Sequence, residues 1–284
     1  MSGIVTALLK RAASSYVAGD RLEDALALAR RCRSHGFAST ICYWHENLEP
    51  PEAVAGRYLR TIRAIAAEGL DARLAVKVPG LWERHDLIAN VAAAAREAGV
   101  AVDFDSHQPE KADDIFAAAR AAGPGDLGCT IPGRWRRSID DAATAVRLGL
   151  RVRVVKGGWR DPTAPRLDGH QGFLEVIDAL AGRCRSVGVA THNPAVARKA
   201  FQRLQETGTP CIQELVYGLP MEKVLQEAVG AGVPTRIYVP YGAAWVPYSL
   251  SRSLREPNAL LWLARDIARG KSTTIPGVSV RPPA

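Results

Sequence analysis

Residues 73–104 read RLAVKVPGLWERHDLIANVAAAAREAGVAVDF, and this stretch decides how the chain is parsed. Two short Val-rich runs, Arg73–Val78 and Ala101–Phe104, flank a longer Ala-rich stretch, Arg84–Ala98, which Gly99 closes. Short runs enriched in β-branched residues read as strands, and longer Ala-rich stretches read as helices. The unit is therefore strand, helix, strand, the repeat from which parallel sheets are built.

Outward from this unit the same alternation runs from Phe37 onward. The remaining strands are expected at Ser39–Trp44, Leu127–Ile131, Arg151–Lys156, Gly188–Thr191, Cys211–Val216 and Arg236–Val239. The helices between and after them are expected at Pro51–Ala67, Pro109–Ala121, Ile139–Leu148, Gly172–Arg183, Pro194–Glu206, Met221–Val229 and Tyr248–Ala268. Eight strand–helix units are the count of an α/β (βα)8 barrel of the TIM type. A doubly wound sheet would carry a Gly-rich phosphate loop after its first strand. Here that position reads His45-Glu46-Asn47-Leu48, and no Walker loop occurs elsewhere. The expected organisation is helical segments over 1–35, a catalytic barrel over 36–270 and a loose tail over 271–284.

The 284 residues are 47% hydrophobic and 23% charged, which excludes a disordered chain. No apolar run approaches the ~18 residues of a membrane span. The N-terminus shows no signal peptide, so a cytoplasmic location is expected. Five cysteines without a CxxC pair fit a reducing compartment. Thirty-seven basic against 29 acidic residues give a net charge of +8. The basic residues are scattered, apart from Arg134, Arg136 and Arg137, so a nucleic-acid partner is not expected.

A TIM barrel assembles its active site where the strands end. The polar residues at those ends are Lys77, Asp103 and Asp105, Arg153 and Lys156, Thr191, His192 and Asn193, Gln213 and Glu214, then Tyr238 and Tyr241. Each has a bland alternative: a strand Lys can point outward, and a strand-end His is often structural. Together they are harder to dismiss, because charge inside a barrel needs a partner or a ligand. Lys77 and Asp103, on neighbouring strands, are expected to pair. His45, Asp103, His107 and His192 are candidates for a metal, but strand one lacks an HxH motif and no metal is expected. No nucleophile elbow is present. Cys129 and Cys211 are the thiols a cysteine nucleophile would use.

These strand-end motifs resemble the proline dehydrogenase family. Arg153-Val154-Val155-Lys156-Gly157-Gly158-Trp159 is similar to its strand-five Arg-Leu-Val-Lys-Gly-Ala-Tyr. Ala190-Thr191-His192-Asn193 matches its Ala-Thr-His-Asn, and Leu215-Val216-Tyr217-Gly218 resembles its Leu-Tyr-Gly. Tyr238-Val239-Pro240-Tyr241-Gly242, with Trp245, Pro247 and Tyr248, looks like the family's approach to its last helix. Lys77 and Asp103 fall where the family keeps a Lys and an Asp. The resemblance covers about residues 36–265.

The resemblance implies an FAD-dependent enzyme that oxidises a C–N bond by hydride transfer to the flavin N5. It assigns Lys77, Asp103, Tyr238, Tyr248 and Arg252 to catalysis. It assigns Arg153, Lys156, Gly157, Gly158, Thr191, His192, Asn193 and Glu214 to the flavin. The partners it implies are a small amine or amino-acid substrate and an electron acceptor that is oxygen, quinone or a carrier. The chain also departs from the family. Ser251 replaces one Arg of a carboxylate-binding pair, Arg255 stands where the family has Glu, Trp159 replaces a Tyr, Glu214 stands at a Gln position, and the strand-four Gln is missing around Cys129. A Ser cannot replace a guanidinium in a carboxylate clamp. The expected substrate is therefore proline or a proline-like, modified amino acid or amine. The competing expectations are a non-redox barrel lyase or hydrolase and a non-catalytic binding homologue.

Overall fold

In the computed structural model the described residues are 17–242, except 47, 106, 107, 160 and 165–167. Eight parallel strands follow one another around a closed barrel in chain order. They are β1 (Ala38–Tyr43), β2 (Ala72–Lys77), β3 (Val102–Asp105), β4 (Leu127–Pro132), β5 (Arg151–Val155), β6 (Val187–Ala190), β7 (Cys211–Val216) and β8 (Thr235–Tyr241). Each expected strand is present to within two residues at either end. β8 closes the barrel on β1, with Thr40 opposite Tyr238.

Helix α1 (Leu22–Ser34) precedes the barrel. Seven helices then follow β1 to β7: α2 (Pro51–Ala67), α3 (His85–Glu97), α4 (Ala112–Ala122), α5 (Ser138–Arg147), α6 (Gly169–Leu180), α7 (Pro194–Glu206) and α8 (Glu222–Gly230). The helix expected at Tyr248–Ala268 lies outside the described residues. No helix among the described residues is long and apolar enough to cross a membrane.

Sequence spacing explains the outer packing. On α3 the buried residues are Ile88, Val91, Ala92 and Ala95, one helical stripe. They meet the outward side chains of the strands, such as Leu74 and Val76 of β2 and Val102 and Phe104 of β3, all within the main apolar core. Each such side chain contributes about 1.5–3 kcal/mol on burial. Helix α1 packs across both β1 and β8, so it covers the seam where the barrel closes. The chain before α1 is tied to the same seam: the Ala18 amide donates to the Pro240 carbonyl at 2.9 Å, and the Gly242 amide to the Gly19 carbonyl at 3.0 Å.

One helix begins three residues before its expected start. The side chain of Asp168 caps α6 by accepting the His170 and Gln171 amides, so Gly169 and Gly172 fall inside the helix. Gly172 reads as a break in sequence, but its missing Cβ is what admits the Gly133 backbone of the β4–α5 connection. The start of α4 differs for a simpler reason: Pro109–Lys111 forms a separate 3-10 turn before it.

Candidate active site

Residues on the barrel's inner face are recognisable because they touch across strands that are not neighbours. Tyr238 of β8 donates its hydroxyl to Asp105 Oδ2 of β3 at 2.9 Å. Arg153 of β5 donates through Nη2 to Asp105 Oδ1 and Oδ2 at 3.0 and 3.2 Å. Lys77 Nζ of β2 lies 2.9 Å from Asp105 Oδ2. The Thr130 hydroxyl of β4 donates to Asp105 Oδ1, and Arg153 Nε donates to Thr130 Oγ1 at 3.0 Å. Asp105 is thus the hub of a buried cluster at the C-terminal end of the barrel, its side chain 2% exposed.

The register explains this hub and corrects one expectation. Lys77 lies directly opposite Asp105, whereas Asp103 lies opposite Ala75, one inward position lower. Lys77 therefore pairs with Asp105 and not with Asp103. Asp103 is held instead by Arg151, 2.7 Å away. Thr130 of the cluster lies outside the strand-end candidates; Asp105 is among those candidates but has no role assigned to it there. The alternation in Val102-Asp103-Phe104-Asp105, combined with parallel pairing, is the signal that could have put it at the centre.

The electrostatics follow from this geometry. Burial alone would raise the Asp105 carboxyl, but Arg153 and Lys77, aided by Thr130, outweigh it and hold it below the usual carboxylate range. Burial pulls Lys77 down, yet Asp105 overrides it and keeps the ammonium charged. Burial, then the Asp105 charge, pushes the Tyr238 phenol well up, so it stays a donor. The Tyr238 ring also carries Arg153, whose Cζ lies 4.5 Å from the ring centroid, a cation–π distance. Cys42 and Ala75 pack beside Tyr238 in a small apolar cluster inside the barrel.

The remaining expected residues fall in different places. Gly157, at φ +88°, turns the chain beyond β5 in a conformation suited to glycine, and a Cβ at Gly158 would meet nothing within 4 Å. Lys156 lies beside them and reaches toward Gly169, together with Arg134. Asn193 Oδ1 accepts the Ala195 and Val196 amides and so caps α7. Thr191 Oγ1 accepts the Asn193 amide at 3.2 Å. His192 accepts the Val216 amide at Nε2, 3.0 Å away, which makes Nδ1 the donor to the Pro220 carbonyl at 2.9 Å. Its ring is a strut between β7 and the following loop. Glu214 lies one inward position below the end of β7, its side chain 2% exposed. Tyr248 and Arg252, with Ser251 and Arg255, lie outside the described residues, as does His107.

The alternatives weighed in sequence find little here. Among the described residues no three of His, Cys, Asp and Glu gather as a metal-binding set. Burial pushes the Cys129 thiol well up, and Cys211, at the opening of β7, is also raised by burial. A nucleophilic cysteine needs the reverse.

Fold and cluster together define a (βα)8 protein with a buried, ion-paired hub at the C-terminal face of its barrel. No protein-family profile matches the chain. Curated relatives do: proline dehydrogenase 1 of Bacillus subtilis subsp. natto is 26% identical over 275 residues, covering 90% of this chain and 91% of that protein. Proline dehydrogenase of Deinococcus radiodurans is 22% identical over 282 residues, covering 91% and 90%. Among solved structures, proline utilization A from Bdellovibrio bacteriovorus superposes with a TM-score of 0.77 at 18% identity over 93% of this chain. Proline utilization A from Corynebacterium freiburgense gives 0.66 at 18% identity over 92%. The chain spans about a third of the length of these solved chains, covering 34% and 32% of them. The chain is similar in sequence to these proline dehydrogenases over about nine-tenths of its length and alike in fold to the solved chains.

Proposed function

We propose that this protein is an FAD-dependent oxidoreductase acting on the CH–NH group of proline or a proline-like amine. The observation that carries the reading is the hub itself. Lys77, Arg153 and Tyr238 converge on one ionised carboxylate at the barrel's C-terminal face. Two cations meet one hydrogen-bonded carboxylate in this layer, with Glu214 3.9 Å from Arg153 and not hydrogen-bonded to it, so the layer favours an anionic group of substrate or cofactor.

The residues present fit a flavin. Arg153 offers a fixed guanidinium, and the Gly157-Gly158 turn lets a ring system approach the backbone closely. Lys156 and Arg134 stand at the head of α6, near a groove of about 500 Å3 between α6 and α7. His170, Leu174, Ala195 and Lys199 line that groove together with the carboxylates Glu175 and Asp178, so we assign it to the uncharged adenosine end of a dinucleotide and not to its phosphates. The Thr191 hydroxyl proton and the Asn193 side-chain NH2 are further donors at this end of β6. When bound, the flavin supplies the hydride acceptor.

The protein's own part is positional. Lys77 uses one N–H on Asp105 and has no second acceptor among the described residues, so its other N–H bonds can face a substrate carboxylate. Asp105, held ionised by its donors, is a poor proton acceptor. It orients Lys77, Arg153 and Tyr238 and does not take the substrate's amine proton. Tyr238 walls the site with its ring and keeps its own proton. We place Tyr248 and Arg252 in this reading as further substrate-holding groups. A cytoplasmic location belongs to the same reading, supported by five free cysteines.

The visible absorbance of the purified protein tests the proposal. Flavin bands are expected, either as isolated or after added FAD, and they should bleach anaerobically with the substrate. Proline is compared with amines lacking the carboxylate to resolve the substrate class. A colourless protein that takes up no FAD would refute the reading.

A further inference from the structure

Arg153 has a second carboxylate beneath it. Glu214 Oε2 lies 3.9 Å from Arg153 Nη1, and Glu214 Oε1 lies 3.8 Å from Arg73 Nη1. Oε2 is fully buried and accepts no hydrogen bond. The other charged groups facing Glu214 are Asp103 of β3 and Arg236 of β8. A buried carboxylate with an unpaired oxygen costs free energy, and a neutral side chain of similar shape would avoid that cost.

The neighbouring strand is shaped around it. A Cβ on Gly188 of β6 would lie 2.5 Å from Glu214 Oε1. The backbone of Gly188 is not in the left-handed region, so conformation does not require a glycine there. Space does. Arg153 thus has two hydrogen-bonded partners, Asp105 at Nη2 and Thr130 at Nε, and a third, ionic neighbour at Nη1, the Glu214 carboxylate at 3.9 Å.

We propose that Glu214 is a positioning residue: seated in the notch left by Gly188, it anchors Arg153 from below and acts on the reaction through that guanidinium, without touching cofactor or substrate. This deepens the proposed function, since it rests on Arg153 facing the flavin.

Two measurements separate the inference from the reading beneath it. The first uses flavin-free protein and follows solvent exchange of the Arg153 Nε–H by NMR, the signal assigned by its loss in Arg153→Lys. Glu214→Gln and Gly188→Ala should each speed that exchange about tenfold, and the double variant should exceed neither single change, because both act on one anchor. The second follows flavin reduction by proline. The rate should fall about tenfold in each variant while flavin affinity stays within about threefold, the signature of an interaction made in the reacting state. Unchanged exchange in both variants, effects that multiply in the double variant, or faster exchange with an unchanged reduction rate would each overturn the proposal. If wild-type protein takes up no flavin, the oxidoreductase reading falls, while the exchange experiment still decides whether Glu214 anchors Arg153.

Discussion

Replacing Asp105 with Asn removes the one charge that Lys77 and Arg153 share. The Lys77 and Arg153 contacts are 2.9 and 3.0 Å, with side-chain exposures of 7% and 12% against 2% for Asp105. At an effective dielectric of about 20, unit charges at these distances attract by roughly 5–6 kcal/mol each. Desolvation of three charged groups offsets much of this, and breaking a buried pair costs about 3–5 kcal/mol in practice. We therefore expect Asp105→Asn to lose about 3–5 kcal/mol in urea denaturation at pH 7. The accompanying fall in Tm is roughly 6–20 °C, at about 2–4 °C per kcal/mol. Because the folded-state carboxyl lies below its unfolded value, this stability is fully present above about pH 4 and disappears as pH falls below it. The gap between wild type and variant should narrow over that acid range. Adding Lys77→Met to the variant removes an unpaired buried charge and should recover part of the loss. A variant as stable as wild type at pH 7, or a gap that ignores acid, would refute the account of Asp105 as an ionised hub.

Other consequences are more direct. Lys77→Ala should impair reduction by substrate far more than flavin retention, as titration and anaerobic reduction would show; equal loss of both would make Lys77 structural. Arg153→Met should alter the flavin spectrum or slow its reduction, and an unchanged spectrum and rate would contradict its placement beside the ring. Gly172→Ala should destabilise by about 1–3 kcal/mol in urea denaturation, since a new methyl would meet the Gly133 backbone.

The fold was legible because each element announces itself locally. Val-rich runs, Ala-rich stripes and Gly punctuation place all eight strands, and Pro51 and Pro194 mark the first turns of α2 and α7. The site was legible only in part, because it depends on register. Lys77, Arg153 and Tyr238 could be chosen from their strand ends. That Asp105 and not Asp103 meets them follows from a pairing between β2 and β3 that no single strand contains. The Thr191-His192-Asn193 motif shows the opposite limit. Its residues are where the sequence suggests, yet several of their polar atoms serve a helix cap and a strut, and a motif string does not distinguish those duties from ligand contacts. The inward Arg73, Arg151 and Arg236 escaped notice because each sits near the start of its strand, away from the face where active sites collect.

Those arginines bear on why the barrel interior is charged at all. Arg236 reaches Asp71 at 2.8 Å, and Arg151 holds both Asp103 and Asp126. Asp71 and Asp126 are 76% and 52% exposed, so water shares in neutralising the lower barrel. Glu214 lies 3.8 Å from Arg73 and 3.9 Å from Arg153, between the two layers, and the top layer holds Lys77 and Arg153 against Asp105. Buried ion pairs are poor stabilisers compared with packed apolar residues of equal volume. If the upper charges are kept for the site and the lower ones are scaffold, the two layers should respond differently to exchange. Replacing Arg151 and Asp103 together with Met and Leu should leave stability unchanged or raise it by about 1–4 kcal/mol, provided Gly128 still accommodates the new side chain. Flavin reduction should stay within about threefold of wild type, because neither residue touches the Asp105 cluster. A large loss of reduction rate in a stably folded double variant would return Asp103 to the catalytic group that the family resemblance implies for it.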